Sequence, residues 1–121
     1  MTSVRGVLPL TPNGYDCGDI AVTAAEGGIG YWAMIDRYDW RNWDGRDVPE
    51  NYVFYSVVDV EGPRYEGEDW LPVTPAVIRR GLNLYRVQVE ELRDPTDIGA
   101  MDAGEADCVI QFGLFGEVRY S

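Results

Sequence analysis

Histidine and lysine are absent from the chain, which also has only three serines and two cysteines. Without histidine, neither a Ser-His-Asp triad nor a Cys-His pair can be assembled within one chain. Without lysine, Schiff-base chemistry and a P-loop lysine are excluded. A structural zinc site normally needs four Cys or His ligands, and the chain offers only Cys17 and Cys108. The sequence therefore predicts a protein that is not an enzyme and uses no metal and no cofactor.

Long apolar runs are missing as well. No stretch approaches the roughly 20 residues that span a bilayer, and Met1–Leu10 has one arginine and too short an apolar stretch for a signal peptide. We therefore expect no membrane contact and a cytoplasmic location. In that reducing compartment, Cys17 and Cys108 are expected to be buried free thiols.

Acidic residues are in excess, since 21 Asp and Glu against 10 Arg give the 121-residue chain a net charge of −11. This charge repels DNA phosphates, so duplex nucleic acid is not an expected partner. Two segments, residues 36–70 and 90–107, each carry a net charge of −6 and together account for the net charge of the chain. Such charge either keeps a small domain soluble or presents a negative face to a basic protein, and the sequence leaves both interpretations open.

Hydrophobic periodicity predicts a small α+β domain. β-branched and aromatic runs indicate strands at residues 31–40, 52–60 and 70–73. Apolar residues at intervals of three and four indicate helices at residues 17–26, 74–93 and 102–116. Three helices on an antiparallel sheet of two to four strands would form one domain over residues 15–121, after an irregular lead-in at 1–14 with a short strand at Val4–Leu10.

Capping residues mark the predicted helix starts: Asp16 for the first, Thr74 followed by Pro75 for the second, and Asp102 with Glu105 as a capping box for the third. Glycine ends the last helix at Gly116. In the first strand, the alternation of residues places Trp32 and Met34 on the buried face. Residues 117–121 would add an edge strand, and such an edge together with surplus aromatic residues predicts a homo-oligomer, most simply a dimer.

A glycine-rich segment, Gly28-Ile29-Gly30-Tyr31-Trp32-Ala33, has the letters of a dinucleotide-binding fingerprint. That motif works only between a strand and a following helix, and here a helix precedes and a strand follows. The segment is interpreted as a helix end and strand start, or as a place where a ligand can approach Tyr31 and Trp32 closely. The candidate ligand-binding residues are Gly28, Gly30, Tyr31 and Trp32, with Arg79 and Arg80 as anion-binding groups.

Aromatic residues are too numerous for a core of this size, since the chain has four Trp and eight Tyr. Those that remain on the surface are of the types enriched at interface hot spots and at base-stacking sites. The candidates for exposure, and hence for binding a partner, are Trp40, Trp43 and Trp70.

Three segments, at residues 25–32, 78–82 and 107–117, resemble a family of uncharacterised small proteins encoded by phages and mobile elements of actinobacteria. Their sequences are Ala-Glu-Gly-Gly-Ile-Gly-Tyr-Trp, Ile-Arg-Arg-Gly-Leu and Asp-Cys-Val-Ile-Gln-Phe-Gly-Leu-Phe-Gly-Glu. The resemblance covers most of the chain from Asp16 onward. It implies a phage accessory protein that acts in the host cytoplasm against a host or defence component, and it implies no catalytic residue.

Two functional hypotheses follow. In the first, the protein sequesters a small nucleotide-type immune signal by aromatic stacking and arginine contacts. In the second, it is an acidic inhibitor or DNA mimic whose carboxylates bind a basic site on a host or defence protein. The overall charge favours the second hypothesis, but the arginines and the glycine-rich aromatic segment favour the first, which is the function predicted from the sequence.

Overall fold

A computed structural model describes residues 14–36, 48–60, 70–88 and 101–121. These residues form three helices and a three-stranded antiparallel sheet of order β1-β2-β3, which confirms a single small α+β domain. The elements are α1 (Gly14–Gly27), β1 (Ala33–Asp36), β2 (Tyr55–Asp59), β3 (Leu71–Val73), α2 (Pro75–Gln88) and α3 (Ala103–Phe115). The predicted strand at Val4–Leu10, most of the lead-in at 1–14 and the predicted helix end near Arg93 lie outside the described residues. None of the described helices has the length and apolar character that crossing a membrane requires.

The sheet packs one face on the helices. Tyr55 and Val57 of β2 are buried on that face, where the Tyr55 hydroxyl donates a hydrogen bond to the Ala21 carbonyl oxygen of α1 (2.6 Å). Met34 pairs with Val58 on the other face and is 45% exposed, so the predicted inward position of Met34 is wrong. The reason is that Trp32 lies in the turn before β1, and the alternation within the strand therefore starts inward at Ala33.

Local capping signals set two of the helix starts as predicted. The Thr74 hydroxyl accepts a hydrogen bond from the Val77 backbone N–H (3.2 Å) at the start of α2. At the start of α3, Asp102 accepts from the Glu105 N–H (2.8 Å), and the Glu105 carboxylate accepts from the Asp102 N–H (3.0 Å). By contrast, α1 begins at Gly14, so Asp16 lies in its first turn and is not its cap.

The predicted edge strand at residues 117–121 is absent, because these residues pair with no strand of the described sheet. Gly116 ends α3 in the left-handed conformation (φ +78°) and reverses the chain direction. The backbone that follows bonds to a side chain of α3, and we call residues 117–121 the tail. Self-association through an edge strand at this position consequently loses its structural basis.

Glycines allow α2 and α3 to approach closely, and this pair forms the most extensive contact between described elements. A Cβ on Gly81 would lie 2.9 Å from the Gly113 nitrogen and even closer to the Val109 carbonyl oxygen. A Cβ on Gly113 would lie 2.7 Å from Val77 Cγ1 and closer still to the Val77 carbonyl oxygen. Since backbone cannot rearrange as a flexible side chain does, neither glycine can be replaced without separating the helices.

Replacing Gly113 by alanine should therefore reduce stability, by about 1 to 3 kcal/mol as for other overpacked positions. Gly104, in the same helix, is the matched control, because a Cβ there meets only the Asp102 carboxylate at 3.5 Å. Gly104→Ala should raise stability by up to about 1 kcal/mol through helix propensity. Urea denaturation of both variants measures the difference, and equal effects of the two substitutions would contradict the close crossing.

Candidate binding site

The turn after α1 contains the glycines of the predicted ligand site. A Cβ on Gly28 would lie 2.6 Å from the Ala103 carbonyl oxygen, so Gly28 is required where the end of α1 packs on the start of α3. Gly30 is exposed, and a Cβ there would meet nothing within 4 Å. Gly28 thus has a packing role, whereas Gly30 lies beside open space.

Tyr31 and Trp32 follow in the same turn but point to different environments. Trp32 is fully buried and stacks on Tyr120 with ring centroids 5.4 Å apart and an interplanar angle of 14°. Tyr31 is 49% exposed, although its hydroxyl donates a hydrogen bond to the Asp107 carboxylate (2.6 Å). The face of Trp32 that a base would need is therefore covered by the tail, and Tyr31 is the aromatic residue of this turn that a partner can reach.

Both predicted anion-binding arginines contact protein acceptors. Arg79 forms an ion pair with Glu50. Its positive charge also acts on the thiol of Cys17, which lies near the start of α1. Arg80 donates through Nε to the Gly113 carbonyl oxygen (2.9 Å) in the last turn of α3. Gly28 is eleven residues from Cys17 along α1, about 16 Å at 1.5 Å per residue. Arg79 therefore lies near the start of α1, whereas Gly28 follows its end, and Arg80 lies at the last turn of α3.

Of the three tryptophans predicted to bind a partner, Trp40 and Trp43 lie outside the described residues. Trp70 directly precedes β3 and is half-buried. The two cysteines are free thiols; Cys17 is buried and Cys108 is only half-buried, so the expectation of two buried thiols holds for Cys17 alone. Burial raises the pKa of the Cys17 thiol to about 12.

A buried carboxylate joins the turn to α3. Asp107 Oδ1 accepts hydrogen bonds from Trp32 Nε1 (2.8 Å) and Gln111 Nε2 (2.9 Å), while Oδ2 accepts from the Tyr31 hydroxyl. A carboxylate that is only 6% exposed is costly to bury unless it is hydrogen-bonded, and these three donors offset that cost. Asp107 therefore holds the turn, the helix and, through Gln111, the tail in one arrangement.

Gln111 is fully buried and uses its complete hydrogen-bonding capacity. Its Nε2 donates to Asp107 Oδ1 and to the Tyr120 carbonyl oxygen (3.0 Å). Its Oε1 accepts from the backbone N–H groups of Arg119 (2.7 Å) and Tyr120 (2.9 Å). Two acceptors on one side and two donors on the other define the orientation of the amide.

The tail inserts one aromatic side chain between β2 and α3. The Tyr120 hydroxyl donates to the carboxylate of Asp59, which is buried at the end of β2. The Tyr120 ring packs edge-on against the Phe115 ring, with centroids 6.4 Å apart. The Arg119 guanidinium lies over the Phe115 ring, 4.4 Å from its centroid.

The sequence analysis missed four residues of this cluster: Asp59, Asp107, Gln111 and Tyr120. One signal was available, because Asp107 and Gln111 are polar residues four apart in a helix whose neighbouring positions are apolar. Polar side chains on a buried helical face must find partners, and these find each other. The assignment of both acids to acidic surface segments was wrong for Asp59 and Asp107, which the structure buries.

Within the described ranges, no group of three or more Cys, Asp or Glu side chains could hold a metal ion. The arrangement that does exist is an exposed aromatic ring, that of Tyr31, above the hydrogen-bonded cluster of Asp107 and Gln111. No family model, curated protein or solved structure matches the chain. The resemblance to phage proteins therefore stays a prediction.

Substitutions of Asp107 test the hydrogen-bonded base. Asp107→Ala leaves the Trp32 and Gln111 donors without their acceptor and should lower stability by about 3 kcal/mol or more, at 1 to 3 kcal/mol for each unsatisfied group. Asp107→Asn should cost about 1 kcal/mol or less, because Oδ1 keeps both donors. Its new Nδ2 can donate to Tyr31, whose hydroxyl can turn to the Tyr120 carbonyl oxygen 3.0 Å away. Urea denaturation that ranks the two variants equally would contradict this geometry.

Alkaline pH should weaken the same cluster. Burial and the hydrogen bond to Asp107 raise the pKa of Tyr31 from 10.0 to about 12. A raised pKa adds stability that is complete below pH 10 and is lost as pH rises from 10 to 12. The chain has no lysine that could titrate in this pH range. Deprotonation of Cys17, whose pKa is also raised, lowers the stability of the fold over the same range. Denaturation midpoints at pH 8, 10 and 11 should fall less steeply for Tyr31→Phe than for the natural chain, and parallel curves would contradict the prediction.

Proposed function

We propose that the protein is a non-enzymatic binding protein that offers a negatively charged face with an aromatic centre to a basic site on another protein. The observation that carries this proposal is the junction between the end of α1 and the start of α3. Gly27 and Gly28 lie against Ala103 there, so two acidic helix ends meet at the start of the turn that carries the exposed ring of Tyr31. A phage counter-defence setting belongs to the proposal through the resemblance alone.

The acidic face consists of Glu26, Tyr31, Asp102 and Glu105. Glu26 and Asp102 are exposed, and Glu105 is half-buried in its capping box. No Lys or Arg occurs in residues 26–31 or 102–105, the two segments that carry the residues of this face. These segments therefore supply no positive charge of their own, whereas Glu50 and Glu117 elsewhere pair with Arg79 and Arg119.

Such a face suits a basic protein for two reasons. Complementary charge accelerates association and orients the partner, although exposed pairs add little affinity individually. Most affinity must come from a central residue that loses water on binding, and Tyr is one of the types enriched in that role. Tyr31 is suited to it because its hydroxyl is already held by Asp107, so little side-chain freedom remains to be lost.

Nucleotide sequestration remains the alternative hypothesis. It would require the tail to leave Trp32 and the arginines to release Glu50 and Gly113. Both would have to happen in a strongly negative protein. The acidic face itself is exposed without any rearrangement, and the geometry therefore supports initial recognition through this face better.

The test compares two charge variants in affinity capture from cells that contain the candidate host or defence proteins. The first variant combines Glu26→Gln, Asp102→Asn and Glu105→Gln, which preserve the capping box while removing three charges from the face. The control removes three charges elsewhere by Asp36→Asn, Glu50→Gln and Glu117→Gln. We expect the face variant to lose the captured protein and the control to keep it.

Equal loss in both variants would show a non-specific charge effect and contradict the proposal. Duplex DNA should compete for the partner if the face imitates a phosphate backbone. In parallel, calorimetry against linear and cyclic nucleotides addresses the alternative. Heat of binding that disappears in Arg79→Ala, with no captured protein, would replace this proposal by nucleotide sequestration.

A further inference from the structure

The tail is held mainly by side chains and not by a backbone ladder. Three of the four hydrogen bonds of Gln111 go to backbone atoms of Arg119 and Tyr120. Apart from Tyr120, every tail residue is exposed, and Gly116, which joins the tail to α3, has open space around it. Hydrogen bonds to the backbone of an extended segment, combined with a pocket for its side chain, are also features of peptide recognition by proteins.

The surface beneath the tail has the features of a specific receptor for tyrosine. Trp32 offers a flat ring for stacking, and Phe115 closes one edge. At the far end, the buried Asp59 carboxylate accepts the phenolic hydrogen, a function that phenylalanine cannot supply and that a phosphate group would oppose by charge repulsion. We call Trp32, Asp59, Gln111 and Phe115 the tyrosine receptor.

The residue before the tyrosine is also selected. The Arg119 guanidinium lies over the Phe115 ring, and Arg119 is the only basic residue in the otherwise acidic segment 101–121. A cation at this position gains from the ring and from the surrounding negative field. The receptor is therefore matched to an extended Arg-Tyr sequence, in which the basic residue complements the charge of the protein.

We propose that the tyrosine receptor binds an Arg-Tyr segment of the partner protein and that the chain's own Arg119 and Tyr120 are an internal occupant that this segment displaces. This inference rests on the proposed function, because it names the feature of a basic partner that the acidic face receives. The two surfaces adjoin, since the Tyr31 hydroxyl lies 3.0 Å from the Tyr120 carbonyl oxygen. A partner bound to the acidic face would thus bring its own segment to the receptor.

Because Arg119 and Tyr120 already occupy the receptor, a peptide can bind there only by displacing them. A tethered segment acts at an effective concentration of about a millimolar, so a free peptide at micromolar concentration should not displace it. A partner that is also held at the acidic face has a comparable effective concentration and can compete. Removing the Tyr120 side chain should therefore open the receptor to a free peptide.

The experiment uses the full chain with Tyr120→Ala and a fluorescent peptide of sequence Glu-Val-Arg-Tyr-Ser, which is that of residues 117–121. By fluorescence polarisation, we expect the variant to bind this peptide at least tenfold more tightly than the natural chain does. Peptides with phenylalanine or phosphotyrosine in place of tyrosine should bind the variant at least tenfold more weakly than the parent peptide. A folded variant that ignores the peptide, or that binds all three equally, overturns the proposal.

If Tyr120→Ala does not fold, the natural chain supplies the readout through hydrogen exchange. The Arg119 and Tyr120 amides are protected by Gln111, and the peptide at several millimolar should accelerate their exchange at least fivefold while leaving α2 unaffected. Unchanged exchange overturns the receptor.

The face variant described above separates this inference from the proposed function, because it keeps the tyrosine receptor. Peptide binding that persists without protein capture contradicts the partner but not the receptor. Capture without peptide binding contradicts the receptor alone.

Discussion

The buried carboxylate of Asp107 is the interaction on which the rest of this surface depends. It receives hydrogen bonds from Tyr31 and Trp32 in the turn and from Gln111 one helical turn later. Because each donor has a defined direction, one acidic side chain orients two aromatic rings and the amide that carries the tail. An apolar residue could fill the same volume but would leave these donors unsatisfied.

Asp107 can perform this role only because α3 is held at a defined depth. The reciprocal contact of Gly81 and Gly113 places the backbones of α2 and α3 against each other, and Gly28 does the same for α1 and the start of α3. Because backbone meets backbone at these glycines, no side chain can be added there. The position of α3 is therefore set by backbone contacts and not by side-chain packing. The polar face of α3 is thereby presented to the turn and to the end of β2.

The proposed function depends on which groups around the Asp107 cluster are exposed to solvent. The polar groups beneath the surface are hydrogen-bonded to one another, which removes Trp32 and Asp107 from direct contact with a soluble ligand. The Tyr31 ring, the carboxylates of Glu26 and Asp102 and most of the tail are exposed. A pre-organised aromatic centre with carboxylates around it would suit the recognition of a basic protein that we propose, and the tail is the model for the segment that the proposed receptor would accept.

Local physical chemistry made part of this structure readable from the sequence. The capping box of Asp102 and Glu105, the Thr74-Pro75 helix start and the glycine that ends α3 involve residues within a few positions of one another, and apolar periodicity identified the α+β class. The position of the first strand was less predictable, because an alternating pattern does not show where the turn stops, and Met34 was misplaced for that reason. In the cluster around Asp107, only the pair with Gln111, four residues away, left a signal in the sequence, since the bonds from Trp32 and Tyr31 join residues 75 and 76 positions apart. Only the tertiary structure could decide that Gly28 and Gly113 serve packing, that Trp32 is enclosed, and that the tail bonds to Gln111 and not to a strand, because a buried polar group takes whichever partner the packing of distant elements brings within about 3 Å.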